Sequence, residues 1–156
     1  MKRAFLMFGL MLVALACAQA SAQAQGGSRG PDSSVVRDAE LERDSKHNLE
    51  VARHYYRLRK AYRAAIARCE EIIAGNPTFS RIDEVLFIAG MSSLRLSENR
   101  GRQTSTEPAE KLREAARGYL AQLVNDFPDS EFRKDAEKEL RAMGVEPKAK
   151  AEEKKQ

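Results

Sequence analysis

Through the middle of the chain, apolar residues recur at three- and four-residue intervals with polar residues between them, the pattern of helices that bury one face. Leu49, Ala52, Tyr55 and Tyr56 begin such a stripe. Arg59-Lys60 interrupts it, and it resumes at Tyr62, Ala65, Ile66, Cys69, Ile72 and Ile73, so two tightly joined helices are predicted. Gly75, Asn76 and Pro77 end the second, because glycine can take the left-handed position and proline cannot continue the hydrogen-bond ladder. Ser80 is placed to cap a third helix, with Asp83 reciprocating, and Ile82, Val85, Leu86, Ala89 and Leu96 form its stripe. After a polar interruption at residues 97–106, Pro108 suits the first turn of a fourth helix bearing Leu112, Ala115, Ala116, Tyr119, Leu120, Leu123 and Val124. Phe127-Pro128-Asp129 marks a turn, and Ser130 is expected to cap a fifth helix with Phe132, Ala136, Leu140 and Met143. A short polar helix is expected as well near residues 37–45. No alternating segment competes as a strand, so the predicted fold class is all-α.

The two ends read differently. Lys2 and Arg3 precede an apolar stretch at residues 4–16, too short to span a bilayer, and small residues follow in an Ala-x-Ala style, as in an export signal. Cleavage after Ala20, Ala22 or Ala24 is one reading. Cleavage between Ala16 and Cys17, with a lipid on Cys17, is the other. The expected organisation is a signal peptide at 1–22, a flexible Gln/Gly/Ser linker at 23–35, a helical domain at 36–144 and a charged, disordered tail at 145–156. Met143-Gly144 and Pro147 mark the last helix stop. Whether Cys17 is lipidated or removed, Cys69 has no intrachain partner, so the domain must stand on packing. The net charge of +4 falls to +2 without Lys2 and Arg3, which gives no general attraction to nucleic acid.

Each predicted hairpin leaves an apolar face that a neighbour must cover, which is the logic of helical repeats. Set against the tetratricopeptide pattern, residues 46–79 place Leu49 at the Trp position, Tyr56 at the Tyr, Ala65 at the Ala, Cys69 at the Phe and Pro77 at the Pro. Asn76-Pro77 and Phe127-Pro128-Asp129-Ser130 end hairpins in similar ways. A solenoid of about two and a half repeats is expected. Residues 73–90 and 123–140, around those two terminations, resemble the repeat junctions of the BamD (YfiO) family of tetratricopeptide lipoproteins. That resemblance implies a periplasmic scaffold, anchored through a lipid at Cys17, that binds envelope proteins including the outer-membrane barrel-assembly protein. A periplasmic tetratricopeptide adaptor of the Tol-Pal coordinator kind, unrelated to barrel assembly, is the alternative.

The candidate surface lies in the first hairpin. Lys46, Arg53, Arg57, Arg59, Lys60, Arg63 and Arg68 outnumber Glu50, Glu70 and Glu71 there, and Arg53, Arg57 and Lys60 can share a helical face suited to an acidic partner. Arg53, Arg57, Lys60, Arg63 and Tyr55 are therefore the expected protein-binding residues; solvation of a polar face would account for the same charges. Tyr56 and Cys69 occupy packing positions, and Cys69 reads as a small buried hydrophobe. His47 and His54 lack further ligands at a metal-binding spacing, and Asp83 and Glu84 suit a helix start before they suit acid–base chemistry. No phosphate loop, dinucleotide fingerprint or nucleophile turn occurs. A non-enzymatic protein without cofactor, metal or nucleic-acid partner is expected.

Overall fold

The computed structural model describes residues 33–146; the signal and Cys17 readings, the linker up to residue 32 and the tail from residue 147 lie outside them, and residues 33–35, expected as linker, open the first helix. Five helices follow one another: α1 (Ser33–Arg53), α2 (Tyr62–Gly75), α3 (Ile82–Ser97), α4 (Ala109–Asp126) and α5 (Arg133–Ala142). The described residues contain no strand. They form the stacked helical hairpins of a tetratricopeptide-like array.

The expected polar helix at 37–45 is the first half of α1. Arg43 with Glu40 and Lys46 with Glu42 supply pairs one turn apart, and the polar face docks on the α2–α3 turn. There Asn76 Nδ2 donates to Ser45 Oγ at 3.2 Å, and Ser80 Oγ donates to Glu42. That contact corrects the capping expectation for Ser80, whose hydroxyl is held by α1 while α3 opens at Arg81 without a side-chain cap. Asp83 likewise turns away from its own helix start and accepts from Ser130 Oγ at 2.7 Å. Gly75 remains the last residue of α2 with no positive φ, so Asn76, at φ −143°, leads the chain out instead. Gly144 does take the left-handed position, at φ 76°. Its stop is closed by the Val145 N–H donating to the Leu140 carbonyl at 2.9 Å.

Packing follows the predicted stripes. Leu49, Ala52, Ala65, Cys69, Ile72, Val85 and Ile88 bury the space between α1, α2 and α3. Leu86, Met91, Leu120, Leu123, Ala136 and Leu140 do the same for α3, α4 and α5. Tyr62, Leu96 and Leu112 form a third cluster, and half-buried Tyr56 packs against all three. Gly90 permits the close approach of α3 to α4, since a Cβ there would lie 2.7 Å from the Leu120 side chain. Cys69 is fully buried, and burial pushes its thiol up to about 12. At the last helix Lys134, Asp135, Lys138 and Arg141 face solvent while Glu137 pairs with Arg133 and Arg141, so the stack ends on a polar surface, as a capping helix requires.

Candidate functional site

The α1–α2 connection is a π-helical turn, His54–Arg59, followed by Lys60 in the left-handed region at φ 51°. Such turns often sit at functional sites. A left-handed lysine costs free energy that glycine avoids, and contacts from a distant loop offset the cost here. The Arg102 N–H donates to the Lys60 carbonyl at 3.1 Å, and Gly101, at φ 98°, lies so close that a Cβ would come within 2.5 Å of that oxygen and 2.7 Å of the Tyr62 ring. Gln103 then reaches the start of α2, where its Oε1 accepts from the Ala64 N–H at 3.2 Å. No side chain of the α1–α2 turn caps α2, so a residue 39 positions away supplies the acceptor. The polar interruption at 97–106 is thus the brace that fixes the π turn.

Together the two segments form an open cleft of about 410 Å³, lined by Val51, His54, Tyr55, Arg59, Ala61 and Arg102. Its apolar floor comes from Val51, Ala61 and the half-buried Tyr55 ring, and its rim carries two guanidinium groups. Arg59 Nε donates to His54 Nε2 at 3.3 Å, which leaves that imidazole nitrogen as an acceptor. Arg57, Arg59, Lys60, Arg63 and Arg102 are all exposed, and none has an ion-pair partner among the described residues. Leu58 stands among them 71% exposed.

The structure separates Arg53 from the other residues expected to bind. Its Nε and Nη2 donate to the two oxygens of Glu84 at 2.5 and 2.7 Å, and Arg81 Nη2 approaches the same carboxylate at 2.5 Å. Glu84 has only 3% of its side chain exposed. Burial would raise its carboxyl, but the Arg53 hydrogen bond and the charges of Arg53, Arg81 and Arg57 outweigh it and hold the group below the usual carboxylate range. This clamp ties α1 to α3. Past it, the π turn and left-handed Lys60 break the helical register, so Lys60 and Arg63 reach solvent from a turn and the start of α2 and do not extend a face begun by Arg53, while exposed Arg57 stays near enough for its charge to act on Glu84.

Of Leu58, Arg59, His54 and Arg102, the sequence places Arg59 among the basic residues of the first hairpin, but none of the four is among those expected to bind protein. An isolated leucine between two arginines, off the apolar stripe, was the available signal for the first two; only the folded loop brings in Arg102. Among the described residues no three His, Cys, Asp or Glu side chains are placed to hold a metal ion, and no helix is long and apolar enough to cross a membrane.

Residues 40–145 match the model of the YfiO family, described as an outer membrane lipoprotein. No curated protein and no solved structure matches the chain.

Proposed function

The chain belongs to the YfiO family of outer membrane lipoproteins, and we propose that its π-turn end is the surface through which it holds envelope partners. Family membership makes it a non-enzymatic scaffold of outer-membrane protein assembly, facing the periplasm, with envelope proteins as its partners. The finer assignment rests on one observation: Arg59 and Arg102 line an apolar-floored cleft, Arg57, Lys60 and Arg63 are exposed on the same turn and the start of α2, and none of the five has an ion-pair partner among the described residues.

Unpaired charge of one sign around a recess favours a partner surface of the opposite sign. Tyr55 supplies a rigid aromatic wall, while Arg57, Lys60 and Arg63 steer the approach of an acidic surface. Arg53 acts from behind by holding α1 on Glu84. The partner that the family implies is the periplasmic part of the outer-membrane barrel-assembly protein, and the anchor is a lipid on Cys17.

Cross-linking in intact cells followed by detergent extraction and mass spectrometry tests the partner. Reproducible recovery of the barrel-assembly protein supports the reading, and enrichment of a different envelope complex in its place assigns the chain to the generic adaptors. Cys17→Ser is expected to release the chain from membranes; retention overturns the lipid as sole anchor.

A further inference from the structure

We propose that the tip of the π turn is also a membrane-contact element, in which Leu58 enters the headgroup layer of an anionic bilayer and the surrounding guanidinium and ammonium groups meet lipid phosphates. This goes beyond the protein-binding reading: it adds exposed Leu58 to cations that the two readings share, and it rests on the lipid anchor proposed above. Leu58 is 71% exposed, far more than Leu41 at 37%, and these two are the exposed large hydrophobic residues of the described chain. It lies between Arg57 and Arg59, with Lys60 next and Arg102 brought alongside by the bond to the Lys60 carbonyl. The carboxylate of the bracing loop, Glu98, is paired with Arg100 at 3.4 Å.

An aliphatic side chain raised on a turn and ringed by cations has the chemistry of an interfacial anchor: the leucine leaves water for the acyl boundary and the cations gain from negative surface potential. The manner in which the charges are held points the same way. A protein interface core depletes charge and fixes its arginines by packing. Here the cations are exposed, and the side-chain hydrogen bond among them is the 3.3 Å contact from Arg59 to His54. Loosely held cations can follow a fluid array of phosphates, and what a bilayer offers beyond an acidic protein surface is an apolar layer for Leu58. Distance permits the contact. The 21 residues of α1 span about 30 Å, whereas the residues from Cys17 to Ser33, fully extended, reach about 50 Å. A lipid at Cys17 therefore leaves the far end of α1 free to return to the same bilayer.

The test places an environment-sensitive fluorophore at Leu58→Cys in the chain purified from envelopes and incorporated into vesicles. One set of vesicles is phosphatidylethanolamine with phosphatidylglycerol and the other is phosphatidylcholine. Cys69 is buried with its thiol near 12 and stays silent, and the unsubstituted chain labelled in parallel sets the background. Gln122→Cys, exposed on α4, is the control position. The expected result is a blue-shifted emission at position 58 in the anionic vesicles, quenched by a lipid-borne quencher, absent at position 122, and lost when Arg59→Glu and Arg102→Glu are added. Emission at 58 as aqueous as at 122 in anionic vesicles overturns the proposal. So does an equal shift in both kinds of vesicle, which removes the role of charge, or a shift that appears only after a soluble periplasmic protein is added, which assigns the tip to a protein partner.

Discussion

The two ends of the helical stack are rich in charge and use it in opposite ways. Where the α2–α3 and α4–α5 turns lie, polar groups are matched across elements: Arg53 and Arg81 enclose Glu84, Ser130 donates to Asp83, and Ser45 and Glu42 receive Asn76 and Ser80. At the other end, the π turn and the 98–104 loop are joined by backbone and amide contacts, while Arg57, Arg59, Lys60 and Arg102 project outward with no ion-pair partner among the described residues. The difference separates charge that holds the array together from charge left available to a partner. A count of basic residues along the sequence merges the two classes, and Arg53 shows the consequence, since it belongs by sequence to one and by structure to the other.

Breaking the paired end has the largest expected effect. Arg53→Ala leaves a buried carboxylate with Arg81 alone, and removing one member of a buried ion pair costs about 3 kcal/mol. Urea unfolding should show that loss with an unchanged slope. Its pH dependence has a definite sign. The folded Glu84 carboxyl titrates below its unfolded value, about 4.3, so the stabilisation is complete above that value and disappears as pH falls through the folded one. The stability advantage of the native chain over Glu84→Gln should therefore vanish in acid; an advantage that persists there would mean the clamp works through packing alone.

The bracing loop carries the next two effects. Gly101→Ala forces a side chain onto positive φ and into the Lys60 carbonyl and the Tyr62 ring, for a cost of about 2 kcal/mol. Because Arg102 is positioned by the same contact, partner capture should weaken with it, which distinguishes this variant from one that only destabilises. Gln103→Ala removes the acceptor from the Ala64 N–H and should cost about 1 kcal/mol, as lost side-chain caps do. A Gln103→Glu variant, which keeps the acceptor, should recover most of the midpoint in thermal unfolding.

The helices were legible in the sequence because they are local: stripes such as Leu112, Ala116, Leu120 and Leu123 on α4 and the stops at Asn76-Pro77 and Gly144 carry their own signals. Side chains with two available uses were harder to place. Ser80 and Asp83 fit the capping pattern, yet both are claimed from elsewhere, Ser80 by Glu42 of α1 and Asp83 by Ser130 of the α4–α5 turn. The site was half legible. Its basic character and Tyr55 come from one segment, whereas the left-handed Lys60, which has no glycine or asparagine to announce it, is stabilised by residues more than 40 positions later. Arg102 enters the site through that long-range contact alone.

The smallest effect on folding is expected at the unpaired end, and it sharpens the contrast most. Reversal of Arg57, Lys60 and Arg63 to Glu removes no ion pair among the described residues and takes from Glu84 only the smallest of the charge contributions that hold it, so stability should change by about 1 kcal/mol or less and the helical circular dichroism should be unchanged. Lys60 keeps its role in the fold because its backbone carbonyl, not its ammonium, receives the loop. Capture of the barrel-assembly protein's periplasmic domains should nevertheless fall, chiefly through slower association. The native chain should itself lose affinity as salt rises, and the triple variant should lose that salt dependence, since rim charges act by steering. Equal capture by the two proteins at low salt would place the partner surface elsewhere on the array and leave these cations to solvation or to lipid. A large stability loss in the triple variant would instead show that this end, too, spends its charge on the fold.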